Sequence, residues 1–117
     1  MKIICDDISS KEIVDIFFHY DEHRERYIKI DWVYLTKGTS SRRENPGDPM
    51  KQVIVDCIQV RGKSHLGYGG ETNGTRYVYS GDILFKELYN WIINHQIIKR
   101  EDKIETKRNS IFRSIVH

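Results

Sequence analysis

The chain of 117 residues contains no alanine, four leucines and two prolines, whereas it has 17 isoleucines. Alanine and leucine are normally among the commonest residues of a protein. Codon usage in an AT-rich genome, which favours Ile and Lys over Ala, accounts for this bias. The composition therefore favours a bacterium, a phage or a mobile element as the source, and it says nothing about mechanism.

The chain also lacks an excess of charge of one sign, since it has 19 Lys and Arg and 17 Asp and Glu. This balance alone does not indicate a nucleic-acid or membrane ligand. No apolar run approaches the roughly 20 residues of a membrane span, and no secretory leader is visible. We therefore expect a cytoplasmic, non-membrane protein that folds as a single compact domain over residues 1–117.

Cysteine is scarce, with Cys5 and Cys57 far apart and no Cys-x-x-Cys pair. Both lie in apolar, strand-like runs. This placement predicts two reduced thiols in the core of a cytosolic protein rather than a disulfide.

The hydrophobic pattern predicts an α+β fold. Ser9 and Glu12 match a capping box, which predicts a helix over about 10–25. The complete set of predicted elements is a strand at 2–5, that helix, strands at 27–35, 51–61 and 75–80, a helix opened by Ser80-Gly81-Asp82, and a third helix from Lys99. The order β-α-β-β-β-α-α predicts a small sheet of three to five strands with two or three helices packed on one face.

Two strands of this sheet carry patterns that predict their orientation. In the strand at 27–35, Ile28, Ile30, Trp32 and Tyr34 alternate, which predicts that they share one face. In the strand at 51–61, the residues 53–55 are apolar on both faces, which favours a central position in the sheet.

Two segments have the composition of loops. Residues 36–50 are rich in Gly, Ser, Asn and Pro, and the segment 62–81 holds six of the eight glycines. We expect a long glycine-rich loop at 62–74, because glycine lets backbone amides approach a ligand closely. Basic and aromatic side chains flank this loop and form the predicted binding surface, which comprises Arg61, Lys63, His65, Tyr68, Arg76, Tyr77 and Tyr79.

Several motifs fail on inspection. His19 to His23 spells His-x-x-Glu-His, the zinc-peptidase pattern, but no third ligand accompanies it. His19 and His23 are therefore only weak metal candidates. Arg61-Gly62-Lys63-Ser64 lacks the glycine that a phosphate loop needs five residues earlier, so no nucleotide cofactor is expected.

These observations predict a small non-enzymatic binding protein. The favoured partner is another protein, as for an inhibitor of the immunity or anti-defence type that uses the basic, Tyr-containing loop. The first alternative is a module that binds nucleic acid or a nucleotide phosphate through the same loop. The second is a metal-independent ribonuclease with His65 as acid or base and Lys63 and Arg76 stabilising the phosphate.

Overall fold

The computed structural model describes residues 1–22, 26–65 and 70–98. It contains β1 (Lys2–Ile4), α1 (Asp7–Tyr20), β2 (Tyr27–Arg42), β3 (Lys51–His65) and β4 (Glu71–Tyr79), followed by a second helix, α2, over 83–98. The α+β class and the order β-α-β-β-β-α are therefore confirmed. The third helix predicted from Lys99 lies outside the described residues.

The four strands form one antiparallel sheet in the order β1-β2-β3-β4, so that each strand pairs with its neighbour in sequence. Both helices pack on the same face of this sheet, where they enclose one hydrophobic core. Neither described helix is long and apolar enough to cross a membrane. The fully buried core side chains come from both helices and from β2 and β3, and they include Ile13, Phe17, Ile30, Val33, Ile58, Val60, Leu84, Leu88 and Ile92.

Helix α1 begins earlier than the capping box predicts. Asp6, not Ser9, is the N-cap: its backbone is extended and its Oδ1 accepts a hydrogen bond of 2.8 Å from the Ser9 amide. The hydroxyl of Ser10 instead accepts a bond of 2.9 Å from the amide of Ile30. The serines are thus buried in the first turn, where one of them ties α1 to β2.

Strands β2 and β3 are longer than their composition predicts. The predicted loop at 36–50 shrinks to 43–50, because residues up to Arg42 pair across the ladder with β3. Beyond the sheet, 37–42 and 51–56 form a two-stranded ribbon, which we call the arm. β3 is a central strand of the sheet, as predicted, but the apolar run at 53–55 lies in the arm, where Ile54 has 77% of its surface exposed.

The prediction of a long glycine-rich loop at 62–74 is also wrong. β3 continues to His65 and β4 begins at Glu71, so most of 62–74 is a paired hairpin in which Gly62 faces Gly74. Gly62 is required by close packing rather than by a turn, because a Cβ there would lie 2.4 Å from the carbonyl oxygen of Lys29. Residues 66–69, between the two strands, are outside the described part of the chain.

The turn into α2 follows the sequence pattern. Gly81 has a φ of +102°, a left-handed conformation that favours glycine. Asp82 then accepts a hydrogen bond of 3.0 Å from the amide of Leu84 at its Oδ1, as a helix N-cap does. The side chain of Trp91 in α2 donates a bond of 2.6 Å to Glu12 in α1, which joins the two helices.

Candidate functional site: the open face of the sheet

The register sorts the strand side chains onto two faces, because successive residues of a strand point to opposite sides of the sheet. The covered face carries Ile3, Val33, Ile58, Val60 and Val78 and packs against the helices. On the other side, which we call the open face, no described helix is packed. The open face consists of Lys2, Ile4, Lys29, Trp32, Tyr34, Thr36, Cys57, Gln59, Arg61, Lys63, His65, Glu71, Asn73, Thr75, Tyr77 and Tyr79.

Four aromatic rings occupy the centre of the open face. Trp32 and Tyr34 lie two residues apart on β2, and Tyr77 and Tyr79 lie two residues apart on β4. Two residues span about 7 Å along a strand, and two strand spacings are about 10 Å. Tyr77 and Tyr79 expose 53% and 38% of their surface. The rings therefore form two pairs, one on each side of β3, with Gln59 in register between Tyr34 and Tyr77.

The open face is also basic. Among the residues that the register places on it, Glu71 at the end of β4 is the only carboxylate. It lies 3.6 Å from Lys63, at a position where both side chains remain about half exposed. The remaining charges are all positive, and together with Lys63 the basic set is Lys2, Lys29, Arg61 and Lys63.

Contacts between neighbours hold the cations close to the rings. The Nζ atom of Lys2 lies 4.4 Å from the centroid of the Trp32 ring, within cation–π distance. Arg61 is directly opposite Trp32 on β3, and its Nη1 donates to the Thr75 hydroxyl at 3.4 Å. Each contact is partly exposed, so these ammonium and guanidinium groups can exchange their present partners for a ligand.

One thiol lies beneath the rings. Cys57 is opposite Tyr79 and is 1% exposed, and a Cβ added at Gly38 would meet both the Tyr79 ring and Cys57. The Tyr79 ring therefore reaches across Cys57 towards β2, and burial raises the pKa of the Cys57 thiol. Burial also raises the pKa of Cys5 to about 11, helped by the nearby carboxylates of Asp6 and Asp31. Both cysteines are free, as the sequence predicts.

Arg76 does not belong to this face. It lies on the covered side of β4, where its guanidinium donates to both carboxylate oxygens of Asp21 at 2.5 and 2.8 Å. It also lies 5.5 Å from the Phe17 ring centroid. Since the Asp21 side chain is 1% exposed, this ion pair links the end of α1 to β4 and has a structural role.

The predicted ribonuclease set is consequently split between two faces. Lys63 and His65 lie two residues apart at the end of β3 on the open face, whereas Arg76 is on the other side of the sheet. Of the predicted binding residues, Arg61, Lys63, Tyr77 and Tyr79 do come together. Tyr68 lies outside the described residues.

The weak metal candidates remain unsupported by geometry. His19 is exposed near the end of α1, and His23 is outside the described residues. Within residues 1–22, 26–65 and 70–98, no three His, Cys, Asp or Glu side chains are grouped as a metal site would need.

Sequence reasoning missed half of the aromatic cluster because of two irregularities in β2. The alternation predicted Ile30, Trp32 and Tyr34 on one face, but the register shifts between Tyr27 and Lys29 and between Ile30 and Trp32. A bulge adds one residue and reverses the phase of the alternation. Ile30 is therefore buried, whereas Trp32 and Tyr34 point to the open face together with Lys29.

Comparison of the chain with protein-family models, with curated proteins and with solved structures finds no match.

Proposed function

We propose that the open face binds single-stranded nucleic acid. The observation that carries this proposal is the presence of four aromatic rings and four basic side chains on one uncovered sheet face with a single carboxylate at its end. Aromatic rings stack on bases of any sequence, and Lys and Arg neutralise the phosphates between them. The nucleic-acid module was the first alternative from the sequence, where it was assigned to a loop.

A single strand suits this surface better than a duplex. The exposed rings of Tyr77 and Tyr79 can stack only on bases that are not already stacked in a helix. The face is built from strands and neither described helix lies on it, so no helix is presented there to a major groove. Gln59, between two rings, supplies an amide that can hydrogen-bond to a base edge.

The salt dependence of binding provides the first test. If four cations contact phosphates, the logarithm of the association constant should fall against the logarithm of the salt concentration with a slope of about −3 for a single strand. We expect labelled single-stranded DNA and RNA oligonucleotides to show this slope in fluorescence anisotropy, and the corresponding duplex to bind more weakly. Absence of binding to any strand at low salt would contradict the proposal.

Matched tyrosine variants provide the second test. Tyr77→Ala should weaken binding by roughly 5- to 150-fold, since a base–aromatic stack contributes about 1–3 kcal/mol. Tyr89→Ala is the control, because Tyr89 lies on α2 with 39% of its surface exposed, similar to the tyrosines of the open face. Equal affinity losses in the two variants would show that the open face is not the site.

A second candidate function rests on the arm. Ile54 and Val53, on opposite faces of the arm, are 77% and 36% exposed, and Met50, just before it, is 57% exposed. Exposed apolar side chains that no described element covers are typical of protein contacts. The inhibitor of the immunity or anti-defence type expected from the sequence would use this arm rather than the glycine-rich hairpin.

This second candidate is tested by tandem purification of tagged protein from its native host, with half of the material treated with nuclease. A stoichiometric protein that survives nuclease treatment and is lost from Ile54→Lys would support the inhibitor. A protein that is retained by Ile54→Lys would contradict a role for the arm.

For both candidate functions we propose a cytoplasmic location, because the two free thiols are typical of a reducing compartment.

A further inference from the structure

The outer edge of β4 is unpaired in the described part of the sheet. β4 is nine residues long and is the last strand in the sheet order. Natural edge strands are usually protected by charged side chains, by proline, by a bulge or by being short. The sequence Glu71–Tyr79 has no proline or lysine, and its register with β3 is unbroken. Its two charged residues, Glu71 and Arg76, are paired within the chain with Lys63 and Asp21.

Alternation of the ladder shows which amides point outwards. The Ser80 amide donates to the Asp56 carbonyl at 2.9 Å, so the even-numbered residues of β4 direct their N–H groups inwards to β3. The odd-numbered residues then present both N–H and C=O to the outside. They are Glu71, Asn73, Thr75, Tyr77 and Tyr79.

We infer that β4 pairs antiparallel with β4 of a second copy of this chain, about a twofold axis at Thr75. In this register each outward-facing residue finds a partner, because Thr75 is at the centre of the strand. Glu71 then lies opposite Tyr79, Asn73 opposite Tyr77 and Thr75 opposite itself. The pairing brings no like charges together, and Thr–Thr is a favourable cross-strand pair.

Space beside the edge is consistent with an added strand. A groove of about 690 Å³ runs along the end of β4 and the turn into α2, and Tyr77, Val78, Tyr79 and Ile83 contribute to its lining. Gly74 adds further room, since nothing lies within 4 Å of the position of a Cβ there. In the register about Thr75, Gly74 faces Arg76 of the other copy.

The consequence is one continuous eight-stranded sheet. Paired residues of antiparallel strands point to the same side, so the two open faces would join across the new interface. The Tyr77–Tyr79 pairs of the two copies would then lie on opposite sides of the twofold axis, each beside Asn73 and Glu71 of the other copy, within one longer surface. The dimer does not depend on nucleic acid, so its failure would leave the proposed function of a single copy intact.

A charge-swap experiment tests the twofold register on the full chain after nuclease treatment. We expect the wild type to have a mass of twice 13.9 kDa in size-exclusion chromatography with light scattering. Thr75→Lys and Thr75→Glu each place like charges directly opposite each other, and each should therefore halve the mass. An equimolar mixture of the two variants should restore the dimer, because opposite charges then meet.

A proline variant tests the edge independently of charge. Thr75→Pro removes an outward N–H without removing a β3–β4 hydrogen bond, whereas Thr75→Val retains the amide. We expect the proline variant to be monomeric and the valine variant to be dimeric, with similar circular dichroism spectra. A monomeric wild type, or a mixture of the Lys and Glu variants that stays monomeric, would overturn the inference. If Thr75→Pro does not fold, the charge swap decides alone.

Discussion

The two faces of the sheet are made by alternate residues of the same strands, yet they differ in almost every property. On the covered face, Ile58, Val60 and Val78 are at most 3% exposed and pack against both helices. On the open face, their neighbours in sequence are polar, basic or aromatic, and several of the rings are exposed. Alternation along each strand therefore separates the side chains that stabilise the core from the uncovered side chains to which we assign ligand binding, so substitutions on the two faces should have different consequences.

Phe17 and Phe18 provide the largest contrast. Phe17 is fully buried, with its ring centroid 4.6 Å from that of Tyr27, whereas Phe18 is 77% exposed. We expect Phe17→Ala to lower the free energy of unfolding by about 3–5 kcal/mol, because it leaves a cavity in the core. Phe18→Ala should change it by less than about 0.5 kcal/mol. Urea denaturation measures both values, and similar losses in the two variants would show that α1 does not pack as described.

The two arginines of the hairpin provide the next contrast. Arg76→Gln removes the partner of the buried Asp21 carboxylate, so we expect a loss of about 2–3 kcal/mol, somewhat below the range for a fully buried pair because Arg76 is partly exposed. Its affinity for single-stranded nucleic acid should be unchanged. Arg61→Gln should do the reverse, with little change in stability and a less steep salt dependence of binding. Thermal unfolding and anisotropy on both variants decide whether the two roles are separate.

Much of the fold could be predicted from the sequence, because hydrophobic periodicity and turn residues are local signals. The α+β class, the element order, the one-sided helices and the opening of α2 at Asp82 all followed from such patterns. The lengths of β2, β3 and β4 could not be predicted in the same way. Ser, Thr and Gly in 36–42 and 62–74 are typical of loops, and only pairing with a neighbouring strand, a long-range effect, makes them strands.

The candidate site was predicted only in part. Arg61, Lys63, Tyr77 and Tyr79 were identified from their proximity in sequence, and the register does bring them together. Arg76 was included for the same reason, although its position in the alternation places it with Val78 on the covered face. The β2 residues were missed because bulges reverse the phase of a strand and leave no clear mark in a single sequence.

Gly62 and Gly74 are paired across the hairpin, and alanine substitutions at the two positions test where the covered face is closely packed. Gly62→Ala would place a Cβ 2.4 Å from the Lys29 carbonyl oxygen, so we expect a loss of about 1–3 kcal/mol as β2 and β3 shift apart. At Gly74, directly opposite, nothing lies within 4 Å, and alanine should leave stability unchanged or raise it by about 0.4–1 kcal/mol. Denaturation curves compare the two. A destabilised Gly74→Ala with an unaffected Gly62→Ala would mean that the register of β3 and β4 is wrong.

The smallest expected effect concerns Cys57, a thiol that reports on the rings without contributing much to stability. Burial raises its pKa above the ordinary 9.0, so in the folded protein less of it is the reactive thiolate at any pH below that value. In a Cys5→Ser background, alkylation of Cys57 at pH 8 should therefore be slow, and unfolding should accelerate it.

The sign of the pH effect follows from the same shift. Because the folded pKa of Cys57 is raised, the neutral thiol contributes stability below pH 9, and this contribution is lost as the pH rises through the folded pKa.

The Tyr79 ring can be tested as the cover of this thiol. Tyr79→Ala removes the ring that reaches across Cys57 and should speed alkylation at pH 8, whereas Tyr89→Ala should not. Added single-stranded nucleic acid should slow the reaction again in Tyr79→Ala if the strand lies on the open face. If alkylation is equally slow with and without the Tyr79 ring, Cys57 is buried by the sheet itself, and the rings are more exposed to a ligand than the comparison of the two faces assumes.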